Sequence, residues 1–171
     1  MTSSYILTFI GDDKPGLVEQ LSQVVEANGG NWHESRLSQL QGKFAGLILV
    51  SLPEGKAAAL ESELKGLAES GLSVRVTATE DVAVPVEGRR ITLTVVGPDR
   101  VGIVKEIASA LARRQINVLE MESRVQSAPM SGEMLFNATI ESQVPGDTDF
   151  DDLQDALDEI ANQMTLDIDL A

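Results

Sequence analysis

The chain has 171 residues, of which 43% are hydrophobic and 23% are charged. This composition is typical of a folded globular protein, and the length suffices for one medium domain or two small ones. Acidic residues number 27 and basic residues 13, which gives a net charge of −14, and residues 125–171 hold 11 acidic residues and no basic one. Such a chain repels phosphate backbones and anionic lipids, which argues against direct nucleic-acid binding and against membrane binding.

The sequence contains no cysteine, which excludes disulfides, thiol catalysis and thiolate metal sites. Its first residues lack the basic and apolar regions of a signal peptide. Its longest apolar stretch, near Phe44 to Leu52, is about half as long as a membrane span. We therefore expect a soluble cytoplasmic protein.

The chain contains an internal repeat. Residues 5–31 align without a gap on residues 91–117, at an offset of 86 residues. The identical pairs include both motif glycines, the acid and the asparagine: Leu7/Leu93, Thr8/Thr94, Gly11/Gly97, Asp13/Asp99, Gly16/Gly102, Val18/Val104 and Asn31/Asn117. A second similarity, Glu34-Ser35-Arg36 against Glu122-Ser123-Arg124, is shifted by two further residues. The repeat indicates a duplication of a unit that is large enough to fold.

The periodicity of the first unit predicts six elements. In chain order these are a strand over Tyr5–Ile10, a helix from Leu17 to the Gly29-Gly30 pair, strands near 32–40 and 44–52, a helix that Pro53 opens and Gly71 caps, and a strand over 72–78. Apolar residues at helical spacing define the helices, and alternation defines the last strand. The dipeptide Gln41-Gly42 is a plausible hairpin turn.

The second unit repeats this order. Its predicted elements are a strand over 91–96, a helix over 101–114, strands near 117–126 and 133–142, a helix over 149–164 and a strand over 165–170. Each unit is therefore βαββαβ, an α+β arrangement of the ferredoxin-like type in which an antiparallel sheet carries two helices on one face.

The expected domains are residues 1–80 and 90–171, with residues 81–89 as a linker. Because exposed edge strands favour pairing, we expect the two sheets to adjoin edge to edge, and a homodimer is compatible with such edges.

A βαββαβ unit with the pattern G-x-D-[KR]-x-G-[IL] at its first strand–helix turn and an asparagine before its second strand resembles the ACT domain. The pattern reads Gly11-Asp12-Asp13-Lys14-Pro15-Gly16-Leu17 in the first unit and Gly97-Pro98-Asp99-Arg100-Val101-Gly102-Ile103 in the second. The resemblance covers nearly the whole chain. It implies small regulatory modules of a family whose members often bind amino acids at the interface of two adjoining units.

The strand–helix turn suggests how such a ligand is held. The first N–H groups of a helix have no internal partner and carry a partial positive charge, so they can receive a carboxylate, and glycine lets a ligand approach the backbone. An asparagine side chain offers both a donor and an acceptor. The predicted ligand-binding residues are Gly11, Asp12, Asp13, Lys14, Gly16, Leu17 and Asn31 in the first unit and Asp99, Arg100, Gly102, Ile103 and Asn117 in the second.

A purely structural interpretation of the motif stays open beside this one. In it, Gly11 and Gly16 make a tight turn, Asp13 caps the helix and Lys14 points into water. The two motifs also differ, because Pro15 in the first corresponds to Val101 in the second, so the two sites need not be equivalent.

Residues outside the motif add little chemistry. His33 is the only histidine, so no histidine-based catalytic set or metal cluster is expected, and no cofactor is expected either. Packing or an interface role is favoured for Trp32 and His33, and contact of His33 with a ligand beside Asn31 is the alternative. The acidic residues from Asp147 to Glu159 indicate a solvated face of the last helix, or a docking surface for a basic partner.

The sequence contains no phosphate loop, no dinucleotide-binding glycine motif and no Ser–His–acid set around its single histidine, so we expect no enzyme. Two ACT-like units with nothing attached resemble accessory transcriptional repressors of that family. The resemblance implies a regulator that binds an amino acid, glycine first, and acts through a DNA-binding activator protein. The alternative is a constitutive protein-interaction module without a metabolite ligand.

Overall fold

The computed structural model describes residues 1–80 and 88–171, which form two compact units, one on each side of residues 81–87. Each unit has its own sheet and its own hydrophobic core. The linker expected at residues 81–89 lies almost entirely outside the described residues, and its last residue, Arg89, begins a strand.

The N-terminal unit has the order βαββαβ. Its elements are β1 (Thr2–Asp12), α1 (Leu17–Ala27), β2 (Asn31–Leu40), β3 (Lys43–Pro53), α2 (Ala57–Gly66), a short 3-10 helix (Leu67–Ser70) and β4 (Ser73–Thr79). The strands form one antiparallel sheet in the order β2-β3-β1-β4. Helix α1 joins β1 to β2, and β3 lies between these two strands in the sheet, which is the split-βαβ pattern.

The C-terminal unit repeats this order. Its elements are β5 (Arg89–Pro98), α3 (Ile103–Ala112), β6 (Asn117–Ser127), β7 (Met134–Val144), α4 (Phe150–Met164) and β8 (Asp167–Leu170). The sheet order β6-β7-β5-β8 matches that of the N-terminal unit. Both units are therefore ferredoxin-like, which confirms the predicted fold class. Among the described residues, no helix is long and apolar enough to cross a membrane.

The helices cover one face of each sheet and bury apolar residues at helical spacing. In α1 these residues are Leu17, Leu21 and Val25, and they pack with Leu7 of β1 and Ile48 of β3. Burial of a leucine side chain contributes about 1.5–3 kcal/mol, so the stripe holds the short helix in place. The core therefore fixes where α1 begins, which positions the preceding motif loop.

The structure corrects the role of Pro53. The sequence led us to expect that this proline opens the second helix, but it is the last residue of β3 and α2 begins at Ala57. The three residues between them form a turn in which Gly55 has a φ of +80°. Pro53 has no N–H group, and a strand end tolerates that loss.

The hairpin turn at Gln41-Gly42 is confirmed. Both residues have positive φ, at +50° and +77°. This backbone matches a two-residue turn whose twist suits the flanking strands, and glycine adopts it without a steric cost.

The two Glu-Ser-Arg triplets are not structurally equivalent. Residues in register across the strands of a sheet form a row. Arg36 lies in the row that contains Thr8 of β1, whereas Arg124 lies in the row that contains Val96 of β5. Val96 is two residues beyond Thr94, the counterpart of Thr8. The residue in the position of Arg124 is therefore Ser38. The repeat offset of 86 residues continues along the second strands, so the shifted similarity does not reflect position.

Candidate functional site

The helix-opening glycines of the two motifs have the same backbone. Gly16 and Gly102 stand directly before α1 and α3 with φ of +90° and +100°, in the left-handed region that favours glycine. A Cβ atom at position 16 would meet no atom within 4 Å, and at position 102 only Met164 Cε at 3.9 Å. Glycine is therefore required by the backbone conformation and not by lack of space, and the approach to the first helical turn is open.

Neither of these helices has a side-chain cap at its N-terminus. The interpretation of Asp13 as the helix cap is therefore wrong. Its backbone N–H instead donates to the carbonyl oxygen of Gly42 at 2.9 Å, and Asp99 donates in the same way to Met134 at 2.8 Å. These hydrogen bonds tie each motif loop to the start of the third strand of its unit and leave the first-turn N–H groups without a side-chain acceptor.

The basic residue of each motif reaches the far end of the second helical segment. Lys14 Nζ donates to the carbonyl oxygen of Ser70 at 3.1 Å, and Arg100 Nη1 donates to that of Gln163 at 3.5 Å. The last carbonyl groups of a helix lack internal partners and carry partial negative charge, so a cation there is favourable. Lys14 is thus not simply free in solvent, and both bases have a structural contact of their own.

The first glycine of each motif lies against the residue that follows the second helical segment. A Cβ atom at Gly11 would be 3.0 Å from Leu72 Cδ1, and one at Gly97 would be 2.6 Å from Leu166 Cδ2. Gly11 and Gly97 lie within strands and have no positive φ. Close packing, and not a tight turn, explains why glycine stands at these positions.

Asp12 makes the N-terminal motif different from the C-terminal one. Its carboxylate forms an exposed ion pair with Lys43, the residue directly opposite on β3. The hydrogen bond and the charge of Lys43 lower the pKa of Asp12 below its ordinary value, and Lys14 adds a smaller effect. The equivalent pair in the other unit is Pro98 and Leu135, which carries no charge. The two motif loops therefore differ in their electrostatics.

A shallow depression of about 300 Å³ lies beside the N-terminal motif loop. Its lining includes Asp13, Lys14 and Gly16 from the loop, Leu17 to Glu19 from the first turn of α1, and the ring of Phe44. Leu17 and its counterpart Ile103 are buried in their cores. These two residues can therefore offer a ligand only their backbone groups.

The predicted asparagines lie far from the motif loops of their own units. Asn31 is opposite Ser51, which is opposite Ser4, whereas Asp12 is at the other end of β1. Eight residues of strand separate Ser4 from Asp12, a length of about 27 Å. Asn117 is equally remote, since its row contains Arg90 of β5. A single unit thus does not bring its loop and its asparagine together, and the set of twelve ligand residues stays a prediction.

His33 and Trp32 lie at the asparagine end of the sheet. Trp32 packs against the core, and His33 is exposed, with its Nε2 atom 2.8 Å from Ser51 Oγ. No sequence pattern indicates the hydrogen bond between His33 and Ser51, because it joins residues 18 positions apart on paired strands. Within residues 1–80 and 88–171, no group of three or more His, Cys, Asp or Glu side chains is arranged to hold a metal ion.

Comparison with known families finds the ACT domain in both units. One model of the ACT domain matches residues 4–77 and another matches residues 91–162. The two matches together span most of the chain, and each falls on one βαββαβ unit.

Individual relatives align along most of the chain. The glycine cleavage system transcriptional repressor of Escherichia coli (strain K12) is 24% identical over 161 residues, which cover 93% of this chain and 84% of the relative. A crystal structure of an unknown protein from Galdieria sulphuraria has a TM-score of 0.83 at 30% identity and covers 99% of this chain and 98% of that one. A crystal structure of a candidate glycine cleavage system transcriptional repressor has a TM-score of 0.72 at 21% identity, covers 100% of this chain and 97% of that one, and shows the shared fold.

Proposed function

Because the chain belongs to the ACT domain family in both of its halves, we propose that it is a non-catalytic regulator that responds to an amino acid and represses transcription through a protein partner. Glycine is the first ligand to consider, since the curated relatives are transcriptional repressors of the glycine cleavage system. The partner is a DNA-binding activator protein, and the site of action is the cytoplasm.

The pair of open helix N-termini is the observation that carries this proposal. Gly16 and Gly102 share one left-handed conformation, and the helix starts behind them have no side-chain cap. The free N–H groups there suit a carboxylate because their dipoles point at it. A tandem protein that keeps this arrangement twice is well suited to bind an amino acid by its carboxylate.

The ammonium group of the ligand needs an acceptor, which the Oδ1 atom of Asn31 or Asn117 can supply. Loop and asparagine lie at opposite ends of one sheet, so a ligand does not contact both within a single unit. A ligand that binds one conformation of the protein more tightly than another stabilises that conformation. Such differential binding is what converts ligand concentration into a change of partner affinity.

The net charge of −14 supports action through a protein and not on DNA directly. Helix α4 fits a basic partner surface, since all of its acidic residues are exposed, as is the N-cap Asp149. Asp149 itself accepts hydrogen bonds from the N–H groups of Asp151 and Asp152, which explains why an acid begins this helix.

A constitutive protein-interaction module is the second candidate function. The observation that favours it is β6, an edge strand of 11 residues in which every residue is exposed. Three of its apolar side chains, Val118, Met121 and Val125, are about 40% exposed or more. An edge of this kind can pair with another strand without any metabolite.

Thermal unfolding of the full chain in the presence of each common amino acid at millimolar concentration separates the two candidates. The proposal expects a selective rise of the unfolding midpoint, because a ligand that binds only the folded state stabilises it. Asn31→Ala or Asn117→Ala should reduce the rise, and Asn162→Ala, on the exposed face of α4, should leave it unchanged. Midpoints that no amino acid changes would favour the constitutive module.

A further inference from the structure

The sheet of the C-terminal unit has a polar depression on the face that its own helices do not cover. The depression has a volume of about 260 Å³ and lies over β5, β6 and β7. Its polar side chains are Thr94, Glu122, Arg124, Asn137 and Thr139. None of them belongs to the motif loops or to the asparagine positions of the predicted ligand site.

Strand pairing arranges these side chains in two rows. Thr94, Thr139 and Glu122 form one row across the three strands, and Val96, Asn137 and Arg124 form the next. Neighbouring strands lie about 4.8 Å apart, and successive rows on one face about 6.8 Å apart. The β7 residues that alternate with Asn137 and Thr139 are buried in the core. The side chains of Asn137 and Thr139 therefore point to the opposite face, which the helices do not cover.

Two groups in the second row are without a partner. The Nδ2 atom of Asn137 is buried and has no hydrogen-bond acceptor among the described residues. The Arg124 guanidinium forms no ion pair or hydrogen bond with any residue of 1–80 or 88–171. A buried donor without an acceptor destabilises a fold, and a site for a ligand is one reason for a protein to keep it.

Charges of opposite sign lie at the two ends of the depression. Arg124 and Asn137 present hydrogen-bond donors at one end, and Glu122 presents an acceptor in the next row. Glu120 and Glu141, opposite each other one row further, extend the acidic end. The donors and the acceptors lie in adjacent rows, about 6.8 Å apart along the strands, so a ligand of a few atoms that lies above the two rows can reach both.

We propose that this depression is a second binding site, for a small α-amino acid in its zwitterionic form. Arg124 and Asn137 Nδ2 receive the carboxylate, and Glu122 with the Thr94 and Thr139 hydroxyl groups receives the ammonium. The carboxylate gains a charge-assisted hydrogen bond from the guanidinium and satisfies the buried amide. A simple anion fits less well, because the carboxylates of Glu120, Glu122 and Glu141 lie at the acidic end of the depression and would repel it.

The N-terminal unit serves as an internal comparison. In the positions of Arg124, Asn137 and Thr139 its sheet has Ser38, Ala45 and Leu47. These residues offer neither a cation nor an amide donor, and the position of Glu122 holds Arg36, a cation where the proposed site needs an acceptor. The proposed site is therefore confined to the C-terminal unit, and it does not depend on the motif loops.

Titration of the ¹⁵N-labelled full chain with glycine, L-serine and L-glutamate tests the proposal. We expect saturable shifts of the Asn137 side-chain amide and of the backbone amides of Glu122, Arg124 and Thr139 with at least one of these probes. Arg124→Ser and Asn137→Ala, which install the residues of the N-terminal unit, should weaken this binding about tenfold or more, the change expected when a charge-assisted contact is lost. Lys105→Ser, an equal charge change on exposed α3, should leave it unchanged.

The thermal midpoint of Asn137→Ala should not fall much, because the substitution removes an unsatisfied amide; this separates loss of binding from loss of fold. No saturable shift at these residues with any probe would overturn the proposal, as would shifts that both variants retain. Acetate binding as tightly as the amino acids would overturn the ligand class. Shifts at Gly16 and Gly102 report on the loop site instead, so the two proposals fail separately.

Discussion

Gly97 and Leu166 lie so close that a Cβ atom on Gly97 would be 2.6 Å from Leu166 Cδ2 and 2.8 Å from the carbonyl oxygen of Thr165. The same relationship joins Gly11 and Leu72 in the N-terminal unit at 3.0 Å. The contact brings the end of the first strand against the segment that follows the second helix. The first glycine of the ACT motif thus has a packing role that is independent of any ligand.

Gly97→Ala should lower the free energy of unfolding of the C-terminal unit by about 1–3 kcal/mol, since the added methyl group meets backbone that cannot easily move. Urea denaturation monitored by circular dichroism measures the change. Gly146→Ala is the control, because a Cβ atom there would meet nothing within 4 Å. Equal stability of the Gly97→Ala protein and the wild type would contradict the packing role.

Thr165 ends α4 in the left-handed conformation with a φ of +57°, where the N-terminal unit has Gly71 at +84°. A β-branched residue is strained in this region, and glycine is not. Thr165→Gly should therefore raise the free energy of unfolding by about 1 kcal/mol, and Gly71→Thr should lower it. Thermal melts of both variants check the opposite signs, and a fall in stability on Thr165→Gly would contradict the strain.

The ion pair between Asp12 and Lys43 predicts a pH dependence. Lys43 lowers the pKa of Asp12 in the folded state. The ion pair therefore stabilises the folded state fully above the unfolded-state pKa of about 4, and this stabilisation is lost as the pH falls through the lower folded-state pKa. NMR titration of the Asp12 carboxyl measures this pKa directly. Lys43→Met should return it toward its ordinary value, and an unchanged titration in that variant would show that Lys43 is not the cause.

Lys14→Met should lower the free energy of unfolding by about 0.3–1 kcal/mol, because Lys14 Nζ donates to Ser70 O where the second helical segment ends. Lys56 lies at the opposite end of the same segment, directly before α2. A cation there opposes the helix dipole, so Lys56→Met should be neutral or stabilising. Both variants replace a lysine by methionine, and only Lys14→Met should lose stability in a denaturation experiment; equal losses would refute the dipole argument.

Much of the fold follows from the repeat and its periodicities. The positions of Gly11, Gly16 and Asn31 and the alternating strands were enough to predict the βαββαβ order of both units. Pro53 misled the prediction because proline at a helix start and proline at a strand end give the same local signal. Only the pairing of β1 with β3 distinguishes them.

The second proposed site, with Arg124 and Asn137, was less predictable from the sequence because it depends on the register of the strands. The sequence shows that Glu122 and Arg124 share one face of a strand, but the row that unites Arg124 with Asn137 depends on how three strands pair and on the irregularity between Val118 and Glu120. The hydrogen bond from Lys14 to Ser70 likewise joins residues 56 positions apart. Long-range contacts of this kind leave no local pattern in the chain.

Calorimetric titration of the full chain with glycine is the most direct test of the proposed regulator. We predict a saturable heat that is retained in Gly55→Ala. In the Arg124→Ser background, which removes the second proposed site, this heat should be lost in the double variant Gly16→Ala, Gly102→Ala. Gly55 is the matched control, since its φ of +80° imposes the same strain on alanine and a Cβ atom there meets nothing within 4 Å. Absence of a saturable heat with glycine and with every other common amino acid would contradict the account.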